Sequence, residues 1–282
     1  MSVSVTKVPQ RYVVQFSGGV TSWAAARRLV DQHGADQVLL LLANTNSEAE
    51  DWWPFVQACQ QDLGVEMVVL DNDGMTIWDA FRKHRFLGNT RVDICSRALK
   101  REPLRAWLET NCDPAYHRIV MGFDWDEEHR AKRTAERWLP WQVECPMAGP
   151  PYTDKAALIE DLRARGIQVP DLYSQGFDHN NCAGTCVKGG QAHWRRVLLL
   201  RRDDYLRAEG EEEKLRAELG DVAILRDRTG GTSTPLPLRS FRLQLAGRPD
   251  DYDGEDFGAC SCMEGDDGPL SQELLFTAAD LA

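Results

Sequence analysis

The chain has 282 residues, with 44 acidic side chains against 33 basic ones, a formal net charge of −11 and a hydrophobic fraction of 43%. That length can bury a large core, and that balance excludes a disulfide miniprotein, a disordered tail and a polycationic nucleic-acid coat, while leaving room for a local basic groove. The longest apolar run, 38–43, is too short to cross a bilayer, and 1–9 lacks the charged start and apolar stretch of a signal peptide, so a cytoplasmic protein with no membrane association is expected. Eight cysteines in such a compartment serve as metal ligands or catalysts more often than as disulfides.

In chain order, Tyr12 to Phe16 is a short β-prone run, followed by the turn Ser17-Gly18-Gly19-Val20-Thr21-Ser22 and a helix-compatible stretch from Trp23 to His33. Val38 to Leu42 reads as a fully buried parallel strand, Glu50 to Leu63 as a helix ended near Gly64, and Glu66 to Leu70 as a third strand. Arg118 to Gly122 is the next strand, with Asp126 to Arg137 a charged loop or helix beside it. This alternation predicts an α/β fold, a doubly wound parallel sheet whose ligands bind at the carboxyl ends of its strands. Beyond it, Asp154 to Arg165 is an amphipathic helix stopped by Gly166, Ala192 to Glu209 reads as a second helix, and 230–282, rich in Gly, Pro and Asp, reads as loop-dominated. The expected division is a nucleotide-binding core over 1–145 and a helical, loop-rich, cysteine-bearing C-terminal extension over 146–282.

A strand that delivers Ser17-Gly18-Gly19 straight into a helix makes an anion site, because glycines let backbone N–H groups point inward and the helix N-terminus adds a favourable dipole. Ser17, Thr21 and Ser22 add hydroxyl groups. A tight turn with a Ser/Thr cap is the plainer alternative. On a helix, Arg97 and Arg101 lie one turn apart with Lys100 beside them, cations able to grip phosphate or sulfate oxygens.

The segment Phe16 to Ser22 resembles the PP-loop signature, serine-glycine-glycine-x-aspartate-serine, of the adenine nucleotide alpha-hydrolase superfamily, which includes ATP pyrophosphatases and phosphoadenosine phosphosulfate (PAPS) reductases; Thr21 stands at the aspartate. Ile94-Cys95-Ser96-Arg97-Ala98-Leu99-Lys100-Arg101-Glu102-Pro103-Leu104 is similar to the cysteine, basic residue, lysine, proline-leucine stretch of PAPS reductase-like proteins. Val120-Met121-Gly122, followed by Asp124 and Arg130, resembles the strand-end glycine, acidic residue and arginine of the superfamily, and Asn44-Thr45-Asn46, with Glu48 after it, falls where related proteins hold the adenosine. The resemblance implies a five-stranded parallel core, an adenine nucleotide such as ATP with Mg2+ bridging its phosphates, contacts from Ser17, Gly18, Gly19, Thr21, Ser22, Asn44, Thr45 and Gly122, and charge stabilisation by Arg97, Lys100, Arg130 and Arg133.

Cys182-Ala-Gly-Thr-Cys186 and Cys260-Ser-Cys262 are two close pairs in turn-prone contexts. Four thiolates from two such knuckles suit tetrahedral Zn2+ or an iron–sulfur cluster; redox-active thiols and unrelated structural cysteines are the alternatives. Asn180 to Gln191 together with Gly258 to Cys262 resembles bacterial and phage proteins described as PAPS reductase-like, while the single C-terminal catalytic cysteine motif of the true reductases has no counterpart here. Cys95, beside the basic stretch, is either a nucleophile or persulfide carrier with a pKa lowered by Arg97 and Lys100, or a small buried residue. His129, His179 and His193 are candidate acid/base groups, each with an ordinary surface role as its alternative. The expected function is an adenylating enzyme that releases pyrophosphate and passes an activated small molecule or nucleobase to a sulfur or nitrogen nucleophile. Its alternatives are a sulfonucleotide reductase and a non-catalytic, zinc-stabilised nucleotide-sensing module; a nucleic-acid acceptor and a homo-oligomer both stay open.

Overall fold

The computed structural model describes residues 11–89 and 92–247. Five strands form one parallel sheet: β1 (Arg11–Gln15), β2 (Val38–Asn44), β3 (Glu66–Asp71), β4 (His117–Val120) and β5 (Gln142–Glu144), in the order β3-β2-β1-β4-β5. The four strands expected from the sequence are present within a residue or two. The fifth, three residues long and only partly buried, carries too weak a pattern to be read from sequence.

Side chains alternate across the pleat and divide the core into two layers. Val14, Leu40, Leu42 and Val120 face α1 (Val20–His33), α2 (Trp52–Leu63) and α7 (Lys155–Ala164), whereas Val13, Leu39, Leu41 and Ile119 face α5 (Glu102–Asn111) and the Trp138 to Trp141 corner after α6 (Glu128–Arg137). Both faces are covered, which is why the strands read as continuous apolar runs. Leu158 and Leu162 of α7 belong to the same core as Trp23 and Leu29 of α1, so chain from beyond residue 145 completes a layer of the sheet.

A third core gathers α3 (Ile77–His84), α8 (Asp171–Ser174), α9 (Gln191–Leu200), α10 (Arg202–Leu219), the hairpin of β6 (Leu225–Asp227) and β7 (Thr234–Leu236), and α11 (Leu238–Gly247) around Phe81, Leu99, Trp194, Tyr205, Leu215 and Phe241. Two expectations change here. The helix foreseen from Ala192 to Glu209 is broken at Arg201 (φ −139°, ψ 55°), which lets Trp194 meet Tyr205 edge-on at 5.7 Å; one straight helix would hold those two rings apart. The region after 230 is not all loop, because Leu238 and Phe241 bury one face of α11 against α10.

Glu212 ties this third core together. Its fully buried carboxylate accepts the N–H of Ile224 at 2.8 Å and of Leu238 at 2.6 Å, fixing α10 to the hairpin and to the start of α11. Burial pushes its pKa from 4.5 up to about 7, against the pull of those two N–H groups and of Arg216. The folded chain therefore holds a proton there that the unfolded chain has lost, and the contribution to stability is full below pH 4.5 and declines as pH rises to about 7. Urea denaturation of the wild type and of Glu212→Gln across that range is expected to show a downward slope in the wild type that is reduced in the variant.

Candidate functional site

The chain runs outward from β1 through β2 to β3 and then returns to place β4 on the other side of β1. At this reversal the connections leave the sheet on opposite faces, opening a crevice at the carboxyl ends of β1 and β4. A cavity of about 400 Å³ occupies that position, with Ser17, Gly19 and Ser22 on one side, Gly122 on the other, and Lys100 and Arg130 at its wall. Its volume lies within the range of small-molecule sites.

The loop after β1 is shaped as an anion cradle. Gly18 adopts φ +69°, and a Cβ there would lie 2.1 Å from Nε1 of Trp52, whose indole N–H donates to the Ser17 carbonyl at 3.3 Å. Gly19 caps α1 in an extended conformation, and the Ser22 hydroxyl donates to its carbonyl at 2.7 Å. The N–H of Val20, in the first turn, donates to the Tyr173 hydroxyl at 3.3 Å. Ser17, Gly19, Thr21 and Ser22 all line the cavity; Gly18 instead gives the turn its shape against Trp52. Gly122 lets β4 approach the same helix end, since a Cβ on it would meet the Ser22 backbone at 2.7 and 2.8 Å.

The basic stretch departs from the regular helix assumed for it. Between α4 (Ile94–Ser96) and α5, residues Arg97–Arg101 form a π-helical turn, a wider winding that moves side chains off their ordinary three- and four-residue alignment. Arg97 accordingly meets Glu102 at 2.7 Å, away from the cavity, and Arg101 turns inward to Asp93 at 3.3 Å. Lys100 enters the cavity wall and is only 8% exposed. Burial opposes its charge, but Glu48 at 3.7 Å and the nearby sulfurs outweigh that and raise its pKa. Arg130 also lines the cavity, paired with Glu127 and stacked over Phe123 at 5.1 Å; Arg133 is exposed outside it.

On its far side Lys100 borders a second, narrow pocket of about 10 Å³ shared by Cys95, Cys182 and Cys186. The thiol of Cys182 donates to Cys186, which together with the N–H and charge of Lys188 and the charge of Lys100 lowers the Cys186 pKa and makes it the readier thiolate of the pair. Burial, followed by Cys186 and Asp93, pushes Cys95 up to about 12, so the expected lowering by its basic neighbours does not occur. Cys182 and Ala183 both take left-handed φ of 51°. The Cys182 N–H is anchored at 2.6 Å to Glu48, and His193 binds the Gly184 carbonyl at 2.7 Å within the knuckle. Soft sulfur backed by two ammonium groups suits a metal held by anionic thiolates. Among the described residues, however, no group of three or more Cys, His, Asp or Glu side chains is arranged to hold a metal ion. Cys260 and Cys262 lie outside the described residues.

Asn44 and Thr45 are engaged with their own loop. The Asn44 amide donates to Asn46 Oδ1 at 2.8 Å and accepts the Asn46 N–H, and the Thr45 hydroxyl donates to Glu48 at 2.9 Å. Thr45 borders the thiol pocket, and neither residue lines the large cavity. His129 is exposed, whereas His179 lines the cavity with its pKa lowered to about 4 by burial, then by Lys155 and Arg130, and is neutral at physiological pH. Lining residues given no role from the sequence include Gln15, Tyr173, Asn180 and Lys155. Gln15 had a signal, a polar residue at the end of an apolar strand; the other three reach the cavity from chain 133 or more positions beyond Thr21, Ser22 and the rest of the loop, which no local pattern announces.

No family model matches the chain, and no curated protein matches it. The chain is similar to solved structures of a PAPS reductase from Candida auris in a phosphate complex (15% identity, 62% of this chain and 82% of that one, TM-score 0.43). It is similar also to the U34-tRNA thiolase NcsA from Methanococcus maripaludis with its 4Fe-4S cluster (14% identity, 76% and 75%, TM-score 0.44). A third is an NH3-dependent NAD synthetase from Campylobacter jejuni in complex with nitrate (15% identity, 75% and 84%, TM-score 0.39). All three belong to the PP-loop adenine nucleotide alpha-hydrolase superfamily.

The contact between β4 and α1 leaves no space for a side chain at residue 122. Gly122→Ala is expected to destabilise the protein by about 1–3 kcal/mol, the ordinary cost of overpacking, and to weaken binding of inorganic tripolyphosphate. Denaturant titration and isothermal calorimetry measure the two effects.

Proposed function

We propose that the protein is a PP-loop enzyme that binds ATP, or a related adenine nucleotide, in the cavity and adenylates an oxygen of a second substrate. The observation that carries this reading is the cradle itself: a helix N-terminus capped by Gly19 and the three hydroxyl-bearing residues Ser17, Thr21 and Ser22 line one cavity that Lys100 and Arg130 line as well. Such donors favour anionic oxygen and act most strongly where water is excluded.

In the proposed step the acceptor oxygen attacks the α-phosphorus, the bond to the β-phosphate breaks, and pyrophosphate leaves with the electron pair of that bond. An acceptor O–H proton leaves to solvent. Lys100 and Arg130, both at the cavity wall, hold the phosphate oxygens. Thr21 brings no carboxylate, but Asp124 and Asp126 line the same cavity and suit Mg2+, which binds through one or two carboxylates and the phosphates. When bound, that ion neutralises charge on the leaving pyrophosphate.

Cys182 and Cys186, with Cys260 and Cys262, would hold Zn2+ or an iron–sulfur cluster beside Lys100. Such a centre braces the knuckle or supplies sulfur chemistry next to the activated acceptor. A thiol pair next to the cavity also favours a second reading, reduction of a sulfonucleotide, in which two thiols are oxidised to a disulfide.

Pyrophosphate release from ATP, screened with nucleoside and RNA acceptors, tests the first reading. Lys100→Met is expected to lower it roughly 100-fold, the usual scale for loss of one charge-stabilising donor. Thioredoxin-dependent release of sulfite from PAPS without ATP cleavage would overturn it in favour of the reductase. Elemental analysis and absorption spectra of anaerobically purified protein are expected to show one zinc per chain, colourless, or a brown iron–sulfur chromophore, lost in Cys182→Ser and Cys186→Ser. Metal-free wild type would remove the metal from the proposal.

A further inference from the structure

Two carboxamides in the cavity have no use in the fold. Gln15, the last residue of β1, is 7% exposed, and Asn180, two residues before Cys182, is 4% exposed; both line the cavity. Neither the amide nitrogen nor the amide oxygen of either side chain has a hydrogen-bond partner. Among the described residues they are the two buried carboxamides with both the nitrogen and the oxygen unmet. A buried polar group without a partner costs about 1–3 kcal/mol, and an aliphatic side chain, like those of Val13 and Val14 beside Gln15, would avoid the cost.

A carboxamide presents a donor and an acceptor side by side, and its complement is a group with an acceptor and a donor at the same spacing. Heterocyclic bases carry such an amide or amidine edge, which Asn and Gln bind bidentately. The terminal torsions of Gln and Asn are broad, so both amides can turn toward an occupant at little cost. We propose that Gln15 and Asn180 read the hydrogen-bonding edge of a nucleobase held in the cavity, and so set which base the site accepts. The amides stand apart from the anion cradle in kind: the cradle offers only donors and cations, and the amides offer both polarities and no charge. The amide of Asn44, by contrast, is already paired within its own turn. The Asn180 segment is held in place through the bond from the Cys182 N–H to Glu48.

This inference rests on the cavity being a nucleotide site, and the base belongs either to ATP or to the acceptor. The test uses the full chain and two near-isosteric variants, Gln15→Met and Asn180→Leu. The probes are inorganic tripolyphosphate, ATP, adenosine, guanosine, cytidine and uridine, and the melting temperature is measured without ligand. Both variants are expected to melt at or above the wild-type temperature, to keep tripolyphosphate affinity, and to bind at least one base-bearing probe tenfold or more weakly. Loss on ATP and adenosine assigns the edge to the nucleotide; loss on another nucleoside with ATP unchanged assigns it to the acceptor. Variants that bind every probe as the wild type does overturn the proposal. So does a fall in melting temperature of several degrees, which would mark the amides as structural, and so does a wild type that binds no base-bearing probe. A wild type that binds neither ATP nor tripolyphosphate, yet binds a nucleoside through the amides, counts against the phosphate cradle alone.

Discussion

The buried ammonium of Lys100 is the constraint around which the site is arranged. A cation so far from water is tolerated only where opposite charge and hydrogen-bond acceptors replace its hydration. Glu48 and the sulfurs of Cys182 and Cys186 do this, and each comes from a different part of the chain. Glu48 simultaneously accepts from Thr45 and from the Cys182 N–H, so one carboxylate joins the loop after β2, the π turn and the cysteine knuckle. The cavity and the thiol pocket are two sides of this one ion pair, because Lys100 lines both.

That arrangement depends on the winding of 97–101. In a regular helix Arg97 and Arg101 share a face and both cations point one way. The π turn separates them: Arg101 is buried on Asp93, which Lys188 also reaches at 3.4 Å, and Arg97 is left outside. The knuckle is thus fastened to this turn from two directions, Glu48 to Cys182 and Asp93 to Lys188. The left-handed backbone at Cys182 and Ala183 is strain that such fastening can hold in place.

The parallel sheet was legible because its central strands β1 and β2 are buried on both faces, and the loop after β1 because glycines and hydroxyls between a strand and a helix form a recognisable pattern. Of the cations foreseen, Lys100 and Arg130 reach the cavity and Arg97 does not, since a π turn has no signature in residue type. Cys95 shows the same limit from another side. Its basic neighbours are visible in sequence and would lower a thiol pKa, but the desolvation that raises it comes from a core assembled by distant segments. Asn44 reads as a binding amide until the turn that uses both ends of it is known, while Gln15 reads as a strand residue until its lack of partners is known. Side-chain satisfaction is a tertiary property, and it reverses the assignments of these two amides.

Thr21 sharpens how charge is divided in the cavity. A loop with an aspartate at that position carries negative charge at the cavity; here β1 and its loop bring no carboxylate to it. The carboxylates that line the cavity, Asp124, Asp126 and Glu127, come from the turn beyond β4, and Asp178 from the segment leading to Asn180. Glu127 is committed to Arg130 and to the Asp124 N–H, and the Asp124 carboxylate accepts from the Trp125 N–H, so this turn is held rigid by its own polar groups. Donors and carboxylates therefore sit on adjacent strand ends, and only the close approach allowed by Gly122 brings them across one cavity. With Thr21 at that position, the negative charge lining the cavity comes from beyond β4 and from Asp178, and none comes from the loop after β1.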